Sequence, residues 1–164
     1  MSENIILKGS CQCGGISYQI NSASVLSVAC HCDDCRKLSG SAFGTSLVIK
    51  SEDVQFSGTF KTWERRTDTG RRNIAYFCPD CGNRIYHQDP DTPVVVRLRS
   101  GTLDDDLIPE PSVHVFAARK MPWLTFPEHV ILFEGQPDAD ELYAALATAK
   151  PDTGEPDTAK PADD

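Results

Sequence analysis

Seven cysteines in three tight groups constrain this chain more than anything else in it. Cys11-Gln-Cys13 is followed by two glycines, Cys30-His-Cys32-Asp-Asp-Cys35 by Arg36, and Cys78-Pro-Asp-Cys81 by Gly82. An odd number of thiols fits complete disulfide pairing badly. The opening residues, MSENIILKGSCQCGG, have no basic stretch followed by a long apolar run, so they do not read as a signal peptide. No stretch approaches the roughly 18 apolar residues that cross a bilayer. A cytoplasmic setting away from the membrane is the expectation. Disulfides are rare there, and clustered thiols point to metal or redox chemistry.

The C-P-x-C-G turn at Cys78–Cys81 has the form of a zinc knuckle. Its Pro and Gly shape a tight loop whose N–H groups can point at the sulfurs and stabilise thiolates. One knuckle supplies two ligands, and a structural zinc takes four in a tetrahedron. Cys11 and Cys13 are the natural partners, read as residues i and i+2 of a strand that project to one face. The alternative is a set of unrelated buried cysteines. Cys30, Cys32 and Cys35 then remain, three thiolates without a fourth. Three protein ligands and an open position is the pattern of a catalytic zinc. In one alternative His31, an aspartate or a remote histidine closes the site and makes it structural. A redox C-x-x-C is another, but it wants a helix N-terminus in a βαβ setting, which the sequence does not display.

Short strand-like runs dominate the rest. GISYQI alternates with period two, and AFGTSLVIK, NIAYF, TPVVVRLRS and SVHVFAA are β-branched or aromatic runs bounded by turn residues. The expected class is mainly β, a small antiparallel fold in one domain over residues 1–136. No long helical period precedes residue 137. In PDADELYAALATAK, Asp138 and Glu141 have capping-box spacing, and Leu142 and Leu146 share a face. PDTGEPDTAKPADD is acidic, Pro-rich and without large apolar residues, so residues 137–164 read as a short acidic helix and a disordered tail. That segment carries −6 of the chain's net charge of −8. With the body near neutral and the tail acidic, nucleic acid is not the expected partner.

The series G-x-C-x-C-G-G, C-H-C-x-x-C-R and F-C-x-x-C-G resembles the glutathione-dependent formaldehyde-activating family, which also includes centromere protein V. The matching stretches are GSCQCGGISY, CHCDDCRKLSGSAFG and FCPDCGNRIY. All seven cysteines match in order and spacing, and the likeness continues more weakly through PSVHVFAARKMPW. Where family members often carry an aspartate after the tryptophan matching Trp123, this chain has Pro127 and Glu128. The resemblance implies a small β-tent-like structure folded around two zinc ions per chain. Cys11, Cys13, Cys78 and Cys81 would hold the structural ion, and Cys30, Cys32 and Cys35 the reactive one. It implies a carbon–sulfur lyase that joins formaldehyde to the thiol of glutathione, its co-substrate, giving S-hydroxymethylglutathione. A zinc-stabilised binding module and a thiol-dependent detoxifying enzyme for another electrophile are the competing readings.

Glutathione is anionic, so basic anchors are expected. Arg36, Ser39 and Gly40 are candidate glutathione contacts, with Phe43 either beside them or in the core. Arg65, Arg66, Arg71 and Arg72 form the basic run RRTDTGRR, a substrate anchor or a solvated turn. His31 is expected to point away from the ligand face, in a hydrogen-bonded structural role. His87, His114 and His129 read as surface or satisfied core histidines, and Trp63 and Trp123 as packing residues.

Overall fold

The computed structural model describes residues 4–104 and 108–148. Along the chain run β1 (Ile5–Ser10), β2 (Ser17–Ser22), β3 (Leu26–Cys30), α1 (Asp33–Ser39), β4 (Gly44–Lys50), β5 (Val54–Ser57) and β6 (Lys61–Arg66). Then follow β7 (Arg72–Phe77), β8 (Arg84–Gln88), β9 (Val95–Arg99), β10 (Val113–Val115), β11 (Ile131–Leu132) and α2 (Ala139–Thr148). The strands make two sheets, a small one in the order β1-β2-β5 and a large one in the order β11-β10-β3-β4-β9-β8-β7-β6. All pairings from β3 to β6 are antiparallel, while β10 runs parallel to both β3 and β11. The mainly β class therefore holds, with a parallel edge. Period-two alternation cannot reveal that edge, because it carries no information about strand direction.

Alternation assigns the two faces of the large sheet. One face carries Leu47, Ile49, Val96, Leu98 and Tyr86, which pack with Tyr18, Ile20 and Val54 of the small sheet into the main core. This burial of apolar side chains is the dominant stabilising term. The other face carries Val28, Ser46, Val48, His87, Arg97 and Arg99, brought side by side by the register Val28↔Ser46↔Arg99 and Val48↔Arg97↔His87. It is polar in its middle and lines a cavity. At one end, Val28 and Val48 join Val113 and Val115 in a second apolar cluster, on which Leu142 and Ala145 of α2 pack. The capping box that starts α2 is made: Glu141 N–H donates to Asp138 Oδ1 at 2.8 Å, and Asp138 N–H to Glu141 Oε2 at 3.0 Å. The tail expected beyond α2, residues 149–164, and the side chain of Leu146 lie outside the described residues.

Three features depart from the sequence reading. A helix, α1, precedes residue 137; it is too short for a 3.6-residue period to show. Cys11 and Cys13 stand in a turn after β1, not in a strand. Trp63 and Trp123 are 50% and 69% exposed rather than packed. Trp63 lies on edge strand β6, where the Arg84 guanidinium covers its ring at 5.2 Å.

Candidate metal centre and its cavity

Two cysteine groups are brought together among the described residues, each with its sulfurs within 4.8 Å of one another. The first joins two hairpin turns. Cys11 and Cys13 lie in the turn between β1 and β2, and Cys78 and Cys81 in the turn between β7 and β8. In each turn the glycine after the second cysteine takes the left-handed conformation, Gly14 at φ 76° and Gly82 at φ 74°. There a side chain would be strained. These glycines let the chain double back so that Gly14 N–H reaches Cys11 O at 2.9 Å and Gly82 N–H reaches Cys78 O at 3.0 Å. Ile16 N–H points at Cys11 Sγ, 3.3 Å away. Cys11 Sγ lies 3.5 Å from Cys13 Sγ, and Cys13 Sγ 3.6 Å from Cys78 Sγ. Those separations are far too long for disulfides. They are close to the roughly 3.8 Å edge of a tetrahedron of thiolates around zinc. The donor set fits a closed four-sulfur site between the two sheets.

The second group sits where β3 passes into α1. Cys30 ends the strand, Cys32 is the N-cap of α1, and Cys35 lies in its first turn. Cys35 N–H donates to Cys32 Sγ at 3.4 Å. Hydrogen bonds from the Cys30 and Cys35 thiols hold the Cys32 thiol well below the usual range, at about 2, while hydrogen bonding to Cys32 and Cys35 pushes Cys30 upward. Among the described residues no fourth histidine, carboxylate or cysteine joins the group. A helix N-terminus does stand at Cys32, as a redox motif would require. The strands on either side, β3 and β4, are antiparallel rather than part of a βαβ unit.

His31 turns away from the sulfurs. It is fully buried, its Nε2 pairs with His114 Nδ1 at 2.9 Å, and its ring packs on Phe43 and Phe126. Burial lowers the basicity of both histidines, His114 to about 4.

The three-cysteine group opens into a cavity with about 1110 Å³ of free space, part of it open to solvent. Its floor is the polar face of the large sheet, with Ser46, His87, Arg97 and Arg99; Arg65, Arg71 and Arg72 line the rim. Some of these cations are paired, Arg65 with Asp34 at 2.8 Å and Arg72 with Glu64 and Asp91 at 2.6 and 3.2 Å. Among the described residues Arg71, Arg97 and Arg99 have no carboxylate within ion-pair distance. Burial works against the charges of Arg97 and Arg99. His87, 5% exposed, has no partner for its Nε2. Burial, with Arg99, Arg84, Arg65 and Arg97 around it, lowers its pKa to about 3 and leaves it neutral.

The family model for the glutathione-dependent formaldehyde-activating enzyme matches residues 6–119, more than half of the chain. This chain belongs to that family. A Halomonas elongata protein named "Putative glutathione-dependent formaldehyde-activating enzyme" is 27% identical over 145 residues, spanning 82% of this chain and 90% of the relative. A crystal structure of a Rhodobacter sphaeroides protein covers 62% of this chain and 91% of its own, at 18% identity and a TM-score of 0.48. The family match takes in both cysteine groups, Arg97 and Arg99, and stops before β11 and α2. No helix among the described residues is long and apolar enough to cross a membrane.

Within the matched region, the candidate contacts next to the second cysteine group are used to build α1. Arg36 pairs with Asp33 at 2.7 Å. The Ser39 hydroxyl bonds the carbonyls of Cys35, Arg36 and Phe43, and Gly40 ends the helix at φ 60°. None of the three lines the cavity, and Phe43 packs in the histidine cluster. The basic run contributes more to the cavity than a solvated turn would. His129 is at the surface, 3.9 Å from Glu110. The residues that the sequence reading missed are Arg97, Arg99 and His87. The available signal was two arginines at i and i+2 in the apolar run VVVRLRS, which must share one face of a strand.

His87 predicts a pH dependence. Its pKa is about 3 folded against an ordinary 6.5, so the unfolded chain binds the extra proton. Its contribution to stability is full above pH 6.5 and falls away as the pH drops toward 3. His87→Gln is expected to flatten the acid limb of stability against pH by up to about 1.4 kcal/mol per pH unit in that window. Denaturant titrations of both proteins at pH 7, 5.5 and 4.5 check this; parallel acid limbs would rule it out.

Proposed function

We propose that this protein is a zinc-dependent carbon–sulfur lyase-type enzyme that forms S-hydroxymethylglutathione from glutathione and formaldehyde. The observation that carries the reading is a three-thiol group, with no fourth ligand among the described residues, opening into an arginine-lined cavity. Cys11, Cys13, Cys78 and Cys81 would hold a structural zinc, and Cys30, Cys32 and Cys35 a second one. A zinc ion at the second site supplies a Lewis acid that favours the thiolate form of an incoming thiol. In the reaction the thiol sulfur bonds to the aldehyde carbon, the carbonyl π bond opens, and the thiol proton ends on the new hydroxyl.

The chain's own groups have matching tasks. Arg97 and Arg71, side by side and unpaired among the described residues, receive a carboxylate of the tripeptide. Neutral His87, with a free Nε2, can hydrogen-bond the oxygen of the aldehyde or of the new hydroxyl. The test is exchange spectroscopy by NMR on glutathione and formaldehyde with zinc-loaded protein. Exchange faster than the uncatalysed adduct equilibrium is expected, and Arg97→Ala should raise KM about tenfold or more with a smaller change in kcat. No acceleration by protein holding two zinc ions would sink the formaldehyde assignment and leave another electrophile, or a non-catalytic module, to be sought.

A further inference from the structure

Arg99 is placed with more care than a cavity wall needs. It is 9% exposed, and among the described residues its side chain makes one hydrogen bond, from Nη1 to Ser46 Oγ at 3.0 Å. A buried guanidinium without a carboxylate calls for another negative group nearby. The register shows where it reaches. Arg99 pairs with Ser46 across β9 and β4, and Gly44 pairs with Cys30 across β4 and β3. The guanidinium lies over Gly44: a methyl group there would fall on Nη2, closer than real carbon contacts allow, with Cζ and Nη1 next nearest. Gly44 is not among the residues with positive φ, so its backbone does not ask for glycine. The space over it does. Lying there, Arg99 lines the cavity together with Cys30, Cys32 and Cys35.

We propose that Arg99 is the counter-charge for an incoming thiolate at the three-cysteine site, and that residue 44 is glycine so that the guanidinium can lie beside it. This rests on the reading of that site as a thiol acceptor. Three thiolates with a divalent ion leave one net negative charge, and a fourth makes two. Arg99 returns the total to one. The thiol arrives protonated, so on ligation its S–H proton would pass to solvent, and solvent would return one to the new hydroxyl when the carbon–sulfur bond forms. Arg97, one pleat further along β9 and beside Arg71, serves the carboxylate part of the ligand instead.

Two ligands separate these tasks. Glutathione carries the thiol and both carboxylates; S-methylglutathione keeps the carboxylates and cannot supply a thiolate. Calorimetric titration of the zinc-loaded protein with each gives an affinity ratio. A clear preference for glutathione is expected in the native protein, and its absence would overturn the thiol-acceptor reading before any variant is made. Arg99→Gln and Gly44→Ala should each cut that preference by about tenfold or more, with the S-methyl ligand little changed. Arg99→Lys should restore part of it. Arg97→Ala should weaken both ligands alike. Equal loss of both ligands in Arg99→Gln would overturn the proposal and make Arg99 a carboxylate anchor. An unchanged ratio in Gly44→Ala would overturn the role given to residue 44. Gly44→Ala is expected to keep the native Tm, because the group it displaces is the end of a flexible side chain. It therefore carries the test even if Arg99→Gln folds poorly.

Discussion

Cys32→Ser is expected to abolish thiol–aldehyde turnover and leave the two-sheet body folded. Cys32 caps α1, accepting from the N–H of Cys35. Serine is among the best N-cap residues, so its hydroxyl can take over that bond and the helix start survives. The proposed ligation does not survive, because a neutral hydroxyl is a far poorer zinc ligand than a thiolate. Loss of groups that merely orient metal ligands costs about 10–100-fold. Loss of a ligand itself should exceed that, so more than about 100-fold in the NMR exchange rate is expected. The Tm should move by only a few degrees. A collapse of stability on this one substitution would show that the second group holds the fold together and is not a reaction centre.

Cys78→Ser should do the opposite, lowering Tm by roughly 10 °C or more. Cys78 and Cys11 are 1% and 3% exposed and belong to the main core. Their turns meet face to face, with Gln12 N–H donating to Asn83 Oδ1 at 3.2 Å. An ion shared by the turns would tie the small sheet to the large one. Structural zinc supplies about 10 kcal/mol or more in the smallest zinc domains. Here an apolar core shares the task, so a loss of several kcal/mol is expected, at about 2–4 °C each for a chain of this size. Differential scanning calorimetry with zinc quantification checks it. Unchanged Tm with one zinc lost would show that the core alone holds the sheets together.

The contrast between these substitutions follows from where each group sits. One lies between two hairpins from different sheets; the other is local to a single strand–helix junction and faces an open cavity. Spacing alone does not separate them, since Cys32/Cys35 and Cys78/Cys81 share the same interval. The left-handed glycine after Cys81 and the helix after Cys32 make the difference. The second goes unnoticed in the sequence because a seven-residue helix completes barely two turns.

By itself the sequence determined what depends on short-range geometry. Two cysteines separated by two residues can share an ion whatever surrounds them, and an alternating run must divide its side chains between two faces. The cysteine groups, the strands β2, β4, β7, β9 and β10 and the capping box at Asp138 and Glu141 were legible for that reason, and the order of the cysteine motifs marked the family. Tertiary structure alone decided what depends on register between distant segments. It set Arg97 against His87, and Arg99 over Gly44, 55 residues earlier in the chain. It also left Trp63 on an open edge and spent Arg36 on a local ion pair. A side chain's neighbours across a sheet are chosen by the packing of whole faces, and no local pattern in the sequence records that choice.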